Sequence, residues 1–79
     1  MVYIDTPKDG WCHLVASSIK ELHIFASEVN LKRSRFENKR GKKQPHYDVR
    51  VSEIQKVIYN GAIQIGRKEL FVFLKETYL

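Results

Sequence analysis

The sequence predicts a small α/β domain in the order β-β-α-β-α-β-α, with a parallel βαβ unit in its second half. Three observations carry this. The 79 residues are 43% hydrophobic and 29% charged, the balance of one small globular domain and not of a disordered chain. Short β-prone runs are separated by stretches whose apolar residues recur at helical spacing. In the second half, strand-like and helix-like stretches alternate, the pattern of parallel strands joined by right-handed crossovers.

Each element follows in order. Val2-Tyr3-Ile4 reads as a buried first strand ending at Asp5. Thr6 to Gly10 is a turn by composition. Trp11 to Ala16 supplies a second strand. Ser18 followed by Glu21 is a capping box, and Ile19, Leu22, Phe25, Ala26 and Val29 then fall on one helical face. Asn30 can close that helix in the left-handed conformation. Leu31 to Phe36 reads as a strand, and about 37–45 as an exposed, mobile basic loop. His46 to Val51 is extended after Pro45. Ser52 is an N-cap candidate for a helix carrying Ile54, Val57 and Ile58, stopped at Asn60-Gly61. Ala62 to Ile65 is a short strand. Gly66 opens a last helix from Arg67 to about Thr77, with Leu70, Phe73, Leu74 and Tyr78 as its buried stripe. Phe71, Val72, Tyr78 and Leu79 spread apolar surface around this helix, which points to a homodimer.

The net charge is +5 and the pI about 9.5, which favours polyanionic partners. Eight of the 14 basic residues lie between Lys32 and Arg50. Lys32, Arg33, Arg35, Lys39, Arg40, Lys42, Lys43 and Arg50, with Tyr47, form a candidate nucleic-acid surface: cations neutralise phosphates and aromatics stack on bases. The plainer reading of the same stretch is a solvated loop that keeps the protein soluble. Cys12 is the single cysteine, so an intrachain disulfide and a thiolate zinc site are both excluded. On a strand Cys12 and His13 point to opposite faces, so they would not act as nucleophile and base. No apolar run is long enough to span a bilayer and the start lacks a signal-peptide pattern, so a cytoplasmic protein without a membrane partner is expected.

Asp5, His13, His46 and Asp48 are the candidate catalytic residues, and His13, His23, His46 and Asp48 the candidate ligands of a divalent metal. Asp5 ends a strand, where α/β proteins gather ligands. His46 and Asp48 alternate on an extended segment, so they share a face. No tight ligand spacing such as His-Glu-x-x-His is present. The plainer reading makes His23 a boundary histidine bonded to backbone, with His46 and Asp48 fixing the loop.

Several blocks together resemble a known family. They are Tyr3-Ile4-Asp5-Thr6-Pro7, His13-Leu14-Val15-Ala16-Ser17, Glu21-Leu22-His23 with Phe25-Ala26, Lys32-Arg33-Ser34-Arg35-Phe36, Pro45-His46-Tyr47-Asp48-Val49 and Gly61-Ala62. The combination is similar to the short bacterial and tailed-phage family known as domain of unknown function 4031. The resemblance implies a phage or bacterial origin, and marks Asp5, His13, His23, His46, Tyr47 and Asp48 as pattern positions. Phage-like members often carry an aromatic where this chain has Arg35, so stacking at that position does not carry over.

Three functions are expected to compete. The first is a nucleic-acid-binding accessory protein that contacts RNA or single strands. The second is a metal-dependent phosphoesterase or nuclease using the His and Asp residues. The third is a phage protein that binds and inhibits a host protein through its basic surface.

Overall fold

The computed structural model describes residues 1–38 and 43–78. Its strands are β1 (Val2–Ile4), β2 (Trp11–Ala16), β3 (Phe36–Glu37), β4 (His46–Arg50) and β5 (Ile63–Gln64). Its helices are α1 (Ile19–Glu28), α2 (Ile54–Tyr59) and α3 (Arg67–Tyr78). The strands form one sheet in the order β3-β4-β2-β1-β5, antiparallel except for the parallel β1–β5 pair.

Local chemistry places most of these elements. Asp9 (φ 53°) and Gly10 (φ 85°) both take the left-handed region, and Lys8 and Trp11 exchange backbone hydrogen bonds across them. That is the Asp-Gly hairpin turn whose twist matches its strands. Ser18 caps α1 by accepting from the Glu21 N–H. The Glu21 carboxylate answers one residue early, accepting from Ser17 N–H instead of Ser18 N–H. Asn30 (φ 60°) closes α1, with Asn30 N–H donating to Ser27 O and Leu31 N–H to Ala26 O. Gly61 (φ 115°) closes α2 in the same way, with Gly61 N–H on Ile58 O and Ala62 N–H on Val57 O. Both are Schellman closures, which need a left-handed residue just past the helix.

Two segments differ from expectation. Leu31 to Phe36 is not a strand: Arg33–Arg35 form one 3-10 turn and only Phe36–Glu37 pair with β4. Leu31 and Phe36 pack into the core, and the polar Lys-Arg-Ser-Arg between them has no apolar face for a sheet to bury. Ser52 does not cap α2: a 3-10 turn over Val51–Glu53 leads into the helix at Ile54. There the Glu53 carboxylate accepts from Arg50 N–H and from the Arg35 guanidinium.

The second half has its expected direction, because β4 and β5 run the same way with α2 between them. They are not neighbours, since β2 and β1 lie between. Residue parity then divides the sheet. Val2, Ile4, Cys12, Leu14, Ala16, Tyr47 and Val49 face α1 and α2 and meet Leu22, Phe25, Ala26, Val29 and Val57. Tyr3 and Val15 face the other way and pack on Leu70, Phe73, Leu74 and Tyr78 of α3. Ile19 is 37% exposed, so the apolar stripe of α1 starts at Leu22. Residues 39–42 of the loop expected at about 37–45 lie outside the described residues, as does Leu79. Among the described residues, no helix is long and apolar enough to cross a membrane.

Two outcomes follow. A Cβ on Gly10 would meet nothing within 4 Å, so Gly10→Ala carries only the backbone penalty of positive φ. Urea denaturation is expected to show a loss of about 1–2 kcal/mol. Burial alone would raise the Glu53 carboxyl, but the Arg35 and Arg50 hydrogen bonds and the charges of Arg35 and Lys56 outweigh it and hold the group below 4.5. Its stabilisation is therefore present above pH 4.5 and lost as pH falls through the lower folded value. Glu53→Gln is expected to cost about 1–2 kcal/mol at pH 7 and to flatten the acid limb of a stability–pH curve.

Candidate functional site

The uncovered end of the α3 face of the sheet carries the polar residues. β2 pairs antiparallel with β4, and the register sets His13 opposite Asp48 and Trp11 opposite Arg50. His46 stands two residues before Asp48 on the same face, and Glu37 of β3 lies opposite His46. His13, His46 and Asp48 each offer a ligand atom, and these atoms lie within 4.8 Å of one another.

Asp5 anchors this group. It is buried, at 2% exposure, just past the end of β1. One carboxylate oxygen accepts the His13 backbone N–H at 2.6 Å, and the other takes His13 Nδ1–H at 2.8 Å. The Asp5 hydrogen bond, opposed by burial and by Arg67 and helped by the Asp5 and Asp48 charges, raises the imidazole's proton affinity above its usual value. With Nδ1–H given to Asp5, the neutral ring presents Nε2 as its free lone pair. His46 is fixed alike: Nδ1 lies 2.8 Å from the Gln44 carbonyl, which can only accept, so Nδ1 carries the proton. The two rings meet edge to face at 5.2 Å.

His46 Nε2 lies 3.5 Å from Asp48 Oδ1 and 3.7 Å from Glu37 Oε2. A lone pair facing two carboxylates is repulsive unless a positive species sits between them. A second ring proton or a metal cation meets that need. Two imidazole nitrogens and a carboxylate oxygen, each imidazole held through its other nitrogen, form a donor set suited to zinc, manganese or iron. The adjoining cleft holds about 90 Å3 and is lined by Asp5, His13, Gln44 and His46 on one side and by Arg67, Leu70, Phe71 and Leu74 on the other.

The four candidate catalytic residues, Asp5, His13, His46 and Asp48, thus come together. His23 does not join them. It points to the opposite side of the sheet, where its Nδ1 meets the Tyr47 hydroxyl at 2.7 Å and its ring packs on Phe36. Its partner is a side chain, not the expected backbone. Burial, then the Arg33 charge, lowers its proton affinity. Tyr47 is 1% exposed, so it offers no stacking surface, and burial raises its phenol. Cys12 is buried on that same core face, and burial, then Asp5, pushes its thiol up to about 11.

The basic residues divide. Lys32 and Arg33 are exposed beside a shallow groove that also includes His23 and Asn30. Arg35 is paired with Glu53. Arg50 lies 5.5 Å over the Trp11 ring. Lys43 is exposed, with φ 47°. Lys39, Arg40 and Lys42 lie outside the described residues. Glu37, Gln44 and Arg67 belong to the site without having been singled out from the sequence. Only strand register and the packing of α3 bring them there, and neither leaves a local sequence signal.

In metal-free protein, histidine NMR titrations are expected to separate the rings, with His13 above 6.5 and His23 below it. The His13 contribution to stability is full below pH 6.5 and is lost as pH rises through its raised value; that of His23 is full above pH 6.5 and is lost as pH falls. Asp5→Asn should bring His13 back toward 6.5 and leave His23 where it was.

No curated protein and no solved structure matches the chain at a significant level. The family model described as "Protein of unknown function (DUF4031)" matches residues 2–77, and the chain belongs to that family.

Proposed function

We propose that the protein is a divalent-metal-dependent phosphoesterase. The observation that carries this reading is the convergence of His13, His46 and Asp48, with both imidazoles held through Nδ1 so that Nε2 is left for a ligand. A cation bound there would polarise a phosphoryl oxygen and make its own water a nucleophile near neutral pH.

The chain's residues supply the rest. Asp5 and the Gln44 carbonyl keep the ligand nitrogens oriented. Glu37 is half exposed beside His46 and can take a proton from an attacking water. Arg67 makes no ion pair among the described residues, and its guanidinium at the cleft is free to hold a phosphate. The +5 net charge favours an anionic substrate. The same donor set also serves iron oxygenases, and the guanidinium of Arg67 at the cleft is what favours the phosphate reading. A second reading, a nucleic-acid-binding module, is supported by the exposed Lys32 and Arg33 beside the groove at His23.

The test is protein purified without chelator, calorimetric titration with Mn2+, Zn2+ and Fe2+, and assay on a phosphodiester. One cation per chain is expected. Asp48→Asn and His46→Ala should abolish its uptake and hydrolysis, while Asp5→Asn should weaken binding about 10–100-fold through loss of His13 orientation. Wild-type protein that takes up none of the three cations would overturn the reading.

A further inference from the structure

The cleft beside His13 and His46 differs in character from its metal-facing wall. Its volume, about 90 Å3, is well below the roughly 300 Å3 at which small-molecule pockets begin. It has room for a phosphate-sized group, and the remainder of any phosphate ester must lie outside. What lies at the opening decides which esters fit.

The far wall is α3. Arg67 and Phe71 are four residues apart on this helix, so they stand on one face about 6 Å apart along its axis. Arg67 is half-buried and without an ion pair among the described residues. Phe71 lines the same cleft yet is 51% exposed, unlike its buried neighbours Leu70 and Leu74. An exposed phenyl ring one turn from an unpaired guanidinium pairs an apolar platform with an anion holder. The separation suits the base and phosphate of one nucleotide.

We propose that the cleft takes an unpaired nucleotide of a single-stranded nucleic acid, with its phosphate on Arg67 and its base stacked on Phe71. This deepens the phosphoesterase reading and rests on it for chemistry. A base can lie on a phenyl face only when it is not stacked within a helix, so a duplex is disfavoured. A base-free phosphate ester reaches Arg67 but gains nothing from Phe71. Stacking tolerates every base, so strand state and not sequence is selected.

Fluorescence anisotropy on the full chain, with chelator present so that no strand is cut, tests this. The probes are a labelled thymidine hexamer, the same hexamer in a duplex, and an abasic hexamer. The thymidine strand is expected to bind about tenfold tighter than either of the others. Phe71→Ala should bring the base-bearing to abasic ratio down to about one. Arg67→Gln should weaken both strands about equally, by about tenfold. Thermal melts by circular dichroism establish that both variants fold. Equal binding of single strand and duplex, or a ratio that Phe71→Ala leaves unchanged, overturns the proposal. If the protein takes up metal and cleaves esters while the ratio ignores Phe71, the substrate class fails and the phosphoesterase reading stands. If it takes up no metal but the ratio collapses in Phe71→Ala, the single-strand site is supported and the phosphoesterase reading fails.

Discussion

The arrangement depends on one buried carboxylate. Asp5 ends β1 and bonds both the backbone N–H and the ring of His13, so a single side chain joins two strands and sets the direction of an imidazole. The backbone bond extends the β1–β2 pairing one step past Ile4, because the side chain accepts where a main-chain carbonyl would. A buried carboxylate is costly unless every oxygen is satisfied. Here Oδ1 and Oδ2 both are, and the residue that satisfies them is itself a candidate ligand. Stability and site geometry are therefore tied to one interaction, and neither can be changed alone.

Parity of the sheet does the rest. A slip of one residue between β2 and β4 would turn His13 toward α1 and put Cys12 on the cleft side. The buried row of Cys12, Leu14 and Ala16 against α1 forbids that slip, because it would bury an imidazole in an apolar layer. On the other face, α3 covers Tyr3 and Val15 and stops short of His13 and Asp48. The site occupies the part of the sheet that one twelve-residue helix leaves open.

What the sequence disclosed follows from what is local. Helix caps at Ser18, Asn30 and Gly61, and a turn within Thr6 to Gly10, were legible because they depend on residues within one turn of each other. His13, His46 and Asp48 were legible as residue types, and the shared face of His46 and Asp48 followed from alternation along β4. The place of His23 was not legible. Its offset from the stripe of α1 leaves its direction to be settled by Tyr47, 24 residues away. The basic segment drew attention to Lys39, Arg40, Lys42 and Lys43, whereas among the described residues the cation that lines the cleft is Arg67, at the start of α3. Charge density along a chain shows where a surface is solvated; it does not show which cation tertiary packing brings to a cleft.

The electrostatics of the cleft are what a bound cation would answer. Asp48 and Glu37 converge on His46 Nε2, and Asp5 backs His13 from behind. Three carboxylates thus surround two rings whose Nδ1 protons are already committed. A single proton on Nε2 of His46 would relieve that ring and leave His13 Nε2 and Asp48 without a shared partner. A divalent cation held by this group would satisfy both nitrogens and the carboxylate at once, and would move the local charge toward that of Arg67. An anion entering between that cation and Arg67 would then be attracted from two sides. The protein's strongest pull on phosphate would in that case lie at a half-buried pair of opposed positive centres, not in its lysine-rich stretch.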